Sequence, residues 1–98
     1  MSGNGPLPGG ARSANNITSK TLIKAGRGVL HKVTIITAPS AAGGMYDSAT
    51  TGGTSASNQI DNIGTGLQNT TVFNLDWPCQ NGIVIDPGTG GVVSVSYT

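Results

Sequence analysis

Large apolar residues alternate with small polar ones in short runs from Thr18 to Tyr97, the period of two expected of half-buried β-strands. Thr71–Trp77 alternates most cleanly: Phe73, Leu75 and Trp77 fall on the inward side, Val72, Asn74 and Asp76 on the other. In Val92–Tyr97, Val93, Val95 and Tyr97 share a face, with Ser94 and Ser96 opposite. These six residues, Phe73, Leu75, Trp77, Val93, Val95 and Tyr97, are the expected core or oligomer-contact positions. Val29–Thr37 is the longest and most β-branched run and stops before Pro39. Thr18–Lys24, Gly44–Ser48, Asn58–Ile63 and Ile83–Ile85 bring the count to about seven strands. Pro78 should end its strand by removing a ladder donor. Asp86-Pro87-Gly88 has the order favoured at a type II turn, and should join Ile83–Ile85 and Val92–Tyr97 as the last pair. No helical period interrupts the series. The pattern predicts an all-β fold, an antiparallel β-sandwich or jelly-roll-like barrel.

Residues 1–16 break the pattern. MSGNGPLPGGARSANN is dense in Gly and Pro, and Leu7 is its one large aliphatic residue after Met1. It reads as an extended N-terminal arm ahead of a β domain spanning 17–98. Such an arm can pack back on its own domain or dock on another subunit, and docking is the preferred reading.

Composition narrows the function classes. Gly, Thr, Ser and Asn fill 45 of the 98 positions, and charged residues are 9%, against roughly 25% in an ordinary soluble domain. A surface of hydroxyls and amides hydrogen-bonds without the desolvation penalty of full charges, which suits it to lie against other protein. With four aromatic residues and one Cys, the core is small and holds no intrachain disulfide. Contact with copies of itself or with a larger scaffold would supply the missing burial. The N-terminus shows no signal-peptide pattern, and no apolar stretch approaches the ~20 residues that cross a bilayer, so a cytoplasmic origin and no membrane partner are expected.

Charge is unevenly placed. All five basic residues (Arg12, Lys20, Lys24, Arg27, Lys32) lie within the first 32 positions, and all four acids (Asp47, Asp61, Asp76, Asp86) follow. Either this is chance, or a basic arm and first strands meet an acidic protein surface.

Little in the chain can carry catalysis. There is one His, one Cys and no Glu, whereas acid–base and nucleophilic chemistry needs a set of mutually tuned titratable groups. No enzyme activity is expected. His31 has no second ligand at metal spacing, so no metal or cofactor is expected, and Cys79 reads as a small buried apolar residue. Gly26-Arg27-Gly28 and Gly88-Thr89-Gly90-Gly91 are turns, since no helix follows to bind phosphate. Five basic residues with no aromatic run make no nucleic-acid surface. Trp77 and Tyr46 could stack on a sugar ring, although burial is the preferred reading for aromatics in so poor a core.

GVLHKVTIIT, GGMYDS, TVFNLDW and NGIVIDPGTGGVVSVSYT together resemble small bacteriophage virion proteins that decorate or cement the capsid. The resemblance covers roughly residues 26–98 and leaves the arm outside it; the loop Ala49–Ser57 and the Trp77-Pro78-Cys79 corner are not part of it. It implies a β-sandwich on the virion surface, binding the major capsid protein and itself, with a trimer favoured. On that reading Leu7 anchors the arm, and Arg12, Lys20, Lys24 and Arg27 supply polar docking contacts. The alternatives are a receptor- or carbohydrate-binding module of a head or tail fibre or spike, and a tail or connector component.

Overall fold

The computed structural model describes residues 11–98. Eight strands form: β1 (Arg12–Ile17), β2 (Thr21–Ala25), β3 (Gly28–Thr37), β4 (Gly43–Tyr46), β5 (Gln59–Ile63), β6 (Val72–Cys79), β7 (Gly82–Asp86) and β8 (Val92–Tyr97). They build two four-stranded antiparallel sheets, ordered β1-β8-β3-β6 and β2-β7-β4-β5. Only the β4–β5 connection stays within a sheet; every other one crosses to the facing sheet. This order is the jelly roll, a double-sheet sandwich of two Greek keys. The fold class read from the alternation is therefore the one observed.

The core lies between the sheets. Leu30, Val33 and Ile35 of β3, Met45 of β4, Ile63 of β5, Ile83 and Ile85 of β7, and Val93 and Val95 of β8 form one buried cluster with Ile17 and Cys79. Tyr97, Phe73 and Leu75 pack against it half-buried. Val84, between two core residues on β7, is also fully buried. It pairs with Leu22 and Tyr46, so these three form a row on the outer face of the second sheet. The unbroken apolar run Ile83-Val84-Ile85 is thus a strand covered on both faces.

Several expectations are corrected. Residues 12–16, placed in the arm by their composition, belong to β1, which pairs with β8. RSANNI contains a single large aliphatic residue, so its alternation is invisible; pairing with a strong neighbour makes it a strand. Leu7 and the other residues of 1–10 lie outside the described residues. The strands β7 and β8 do not pair with each other but lie in different sheets. Asp86-Pro87-Gly88 carries the chain across, with Gly88 at φ +85° and its N–H donating to Asp86 Oδ1 at 3.0 Å. Pro78 does not end β6 but lies within it, which is possible because β6 is an edge strand and Pro there forfeits no ladder bond.

Trp77 is the largest departure: expected in the core, it is 45% exposed. Between Leu30↔Trp77 and Lys32↔Asn74 the edge strand spends one residue more than its partner, and Asp76 takes φ +46°. Trp77 still pairs with the buried Leu30, and Cys79 two residues on is buried, so the strand keeps its inward side through the bulge. Trp77 is exposed because β6 is the edge of its sheet and the indole lies at the open margin beside β5.

Candidate functional site

Two regions gather chemistry-bearing side chains. The first is basic. Arg12 opens β1 and pairs with Tyr97, while Lys24 lies near the end of β2 and Arg27 in the β2–β3 turn. Arg12 and Lys24 line a depression of about 300 Å³ with Ile23 and Tyr97. Lys24 and Arg27 line a neighbouring one of about 370 Å³ with Val29 and Pro78. Three of the five cations thus converge on one end of the sandwich, where the chain enters β1. Among the described residues the one close contact between a basic and an acidic side chain is His31–Asp76, so none of the three is neutralised by an Asp.

Lys20 is not part of this cluster. Its ammonium donates to Thr54 Oγ1 at 2.8 Å and Thr51 O at 3.5 Å, tying the loop between β4 and β5 to the start of β2. Lys32 lines a separate hydroxyl-rich depression on the outer face of the first sheet, with Ser13, Thr34, Ser94 and Ser96.

The second region is a cleft of about 280 Å³ where Trp77, on the edge strand β6, meets Asn58, Gln59 and Ile60 at the start of β5, with Asp47 and Asn81. Asp47 is held hard. Its carboxylate accepts N–H bonds from Gln80 (2.9 Å), Asn81 (2.8 Å) and Gly82 (3.3 Å), the whole turn between β6 and β7. Partial burial pushes its pKa up, but the three amides together outweigh burial and leave it below the usual carboxylate value. Asn58 is equally fixed: its Oδ1 accepts from Ser55 N at 2.9 Å, and its Nδ2 donates to Gly53 O at 2.8 Å.

Tyr46 does not join Trp77. Because Met45 is a core residue, Tyr46 points to the outer face of the second sheet, where its ring lies along Gly44. The two-aromatic platform does not form, and amides and a carboxylate flank the indole instead.

His31 Nδ1 lies 2.8 Å from Asp76 Oδ1, and its Nε2 lies 3.3 Å from Thr98 Oγ1. Carboxylate, imidazole and hydroxyl stand in a line, the order used in hydrolase triads, but there the Asp is buried and holds the imidazole. Here the Asp76 side chain is 79% exposed, and the line straps β3 to β6 and to the residue after β8. Cys79 is buried, and burial with the nearby Asp47 charge pushes its thiol up to about 11, leaving it protonated and unreactive at neutral pH.

No family model, curated protein or solved structure matches the chain. Its function has to be read from these two regions.

Sequence reasoning missed Asp47, Asn58, Gln59 and Asn81, which are distant along the chain and carry no spacing that unites them. One signal for Trp77 was present. A Pro directly after it, inside a run that still alternates, marks an edge strand, where an aromatic residue need not be covered.

Proposed function

We propose that this protein is a non-enzymatic structural component of a bacteriophage virion, binding the outside of the capsid and stabilising the shell. The observation that carries the reading is the convergence of Arg12, Lys24 and Arg27, free of carboxylate partners among the described residues, on the end where residues 1–10 join the sandwich. Charges gathered in this way speed encounter and fix orientation on a surface of opposite sign. The hydroxyl-lined outer face of the first sheet adds a surface that can be covered by protein at little desolvation cost. Jelly rolls serve in both capsid and lectin domains, so the fold supports the reading without singling it out.

On this reading, shell stabilisation comes from bridging. A protein that bridges neighbouring capsid subunits adds contacts across the seams where a pressurised shell parts. Contacts that are weak one by one become strong when symmetry repeats them, because each binding event raises the effective concentration for the next. Self-association, with a trimer favoured, would multiply them again.

The test is co-sedimentation of the purified protein with capsids of its own virus, with copies counted per particle. Hundreds of copies are expected, with retention falling as salt rises through the range where the Debye length drops below ~8 Å. R12E/K24E/R27E should lower retention by at least about tenfold and flatten the salt dependence. Retention equal to the unaltered protein would remove the basic end from the account. A dozen copies or fewer would place the protein at a tail, connector or vertex instead.

A further inference from the structure

We propose that the cleft beside Trp77 is a saccharide-binding site that takes a neutral pyranose ring of a glycan chain. The proposal draws on different residues from capsid docking, because no residue lines both this cleft and either basic depression.

The starting point is a misallocated aromatic. The chain has one Trp, one Phe and two Tyr, and its small core would gain from every one of them. Phe73 and Tyr97 pack against that core, while the largest side chain of all is left 45% exposed. An indole presents a flat apolar face with a negative quadrupole, which matches the row of C–H bonds on one face of a pyranose. What surrounds it matches the rest of a sugar. Asn81 presents an uncharged amide able to donate and accept at adjacent hydroxyls. Gln59, whose Nε2 donates to Asp61 O at 3.1 Å, keeps its amide oxygen as an acceptor, and Asn58, with both amide atoms bonded internally, shapes the rim.

Rigidity supports the same reading. Asp47 is locked by three backbone amides and Asn58 by two bonds of its own side chain, so both rims are ordered before any ligand arrives. A preformed site loses less side-chain entropy on binding. The Asn81 backbone is pinned to Asp47, yet its side-chain amide makes no hydrogen bond among the described residues, which leaves it available to a hydroxyl. At about 280 Å³ the cleft is close to the lower end of small-molecule sites, enough for one ring and open to the rest of a chain. The Asp47 charge selects against uronic and sialic acids, hence a neutral sugar.

Because Trp77 is the only tryptophan, its emission reports this cleft alone. The experiment screens the full chain on an array of neutral and acidic bacterial and host glycans. Tryptophan emission is then titrated with the best neutral oligosaccharide, and with glucose, galactose and N-acetylglucosamine oligomers as fixed probes. A saturable emission change is expected with at least one neutral probe, absent with its uronic-acid counterpart. N81A retains the fluorophore and should weaken binding by about tenfold, the effect of losing one hydrogen bond, with an unchanged melting temperature. W77A should lose the array signal, and W77F, which keeps an aromatic ring, should retain part of it if W77A does not fold. No neutral glycan binding above the W77A background would overturn the proposal. So would an emission shift driven by protein concentration alone, which would make the cleft an interface between copies, and so would full affinity in N81A.

Discussion

Asp47, the residue after β4, ties the end of that inner strand to the β6–β7 turn with one carboxylate and three consecutive backbone amides. Removing it leaves three N–H groups without partners, and a hydrogen bond to a charged acceptor contributes more than a neutral one. Asp47→Ala should cost about 1–3 kcal/mol, read as a lower urea midpoint at pH 7. An unchanged midpoint would show the clamp to be idle. Its folded-state pKa lies below the unfolded value, so its contribution is complete above about pH 4 and declines as pH falls through the folded-state value. Asp47→Asn should therefore flatten the acid limb of the melting-temperature profile below about pH 4. Nothing around Tyr46-Asp47-Ser48 in the chain announces this role. The three donors lie more than thirty residues downstream.

Among the strands, β4 shows how tightly the inner elements meet. A methyl group on Gly43 would land on the Asp86 carbonyl oxygen and on the backbone of Gly88. The backbones on either side belong to a paired strand and the crossing after it, and neither can withdraw without breaking β4–β7 pairing. Gly43→Ala should cost about 2 kcal/mol or more, while Gly52→Ala, where the added carbon meets nothing, should stay within about 0.5 kcal/mol. Chemical denaturation of the pair gives the comparison, and equal midpoints would contradict the close approach. Register shifts occur between inner strands too, as in β3–β8, but both edge strands of the first sheet add a left-handed residue. Asn16 on β1 and Asp76 on β6 both take positive φ, and register shifts fall beside them. Bulges, a proline and short length also blunt those edges against pairing with other chains. The alternation of Thr71–Trp77 was readable as far as Leu75, where the strand is regular. It failed at Trp77 because whether an inward position is covered depends on the strand lying at a sheet edge, which local periodicity does not contain.

Over the chain as a whole, the first strand pairs with the last: Arg12 lies opposite Tyr97. The N-terminal residues of the sandwich are thus needed to cover one flank of β8, and Ile17 and Ala14 contribute to the core. Removing residues 1–10 should leave cooperative unfolding within about 0.5 kcal/mol of the full chain, whereas removing 1–17 should abolish the cooperative transition or leave the protein insoluble. Scanning calorimetry of the two truncations decides it, and a stable, cooperative product from the longer one would show β1 to be dispensable.

Period-two patterning is a property of neighbours along the chain, so β3, β7, β8 and the first part of β6 could be read from residue order, and with them the all-strand class and most of the core. Charge counts likewise announced that the cations come early and the acids late. Sheet membership could not be read in that way, since each strand alternates identically whichever partner it takes. Long-range pairing made a strand of RSANNI, sent β7 and β8 to opposite sheets, and gathered Arg12, Lys24 and Arg27 while leaving Lys20 on its own loop. It also set Trp77 beside Asn58 and Asn81. Both candidate regions join residues brought together by strand pairing and sheet packing, and only the folded chain brings them within reach of one another.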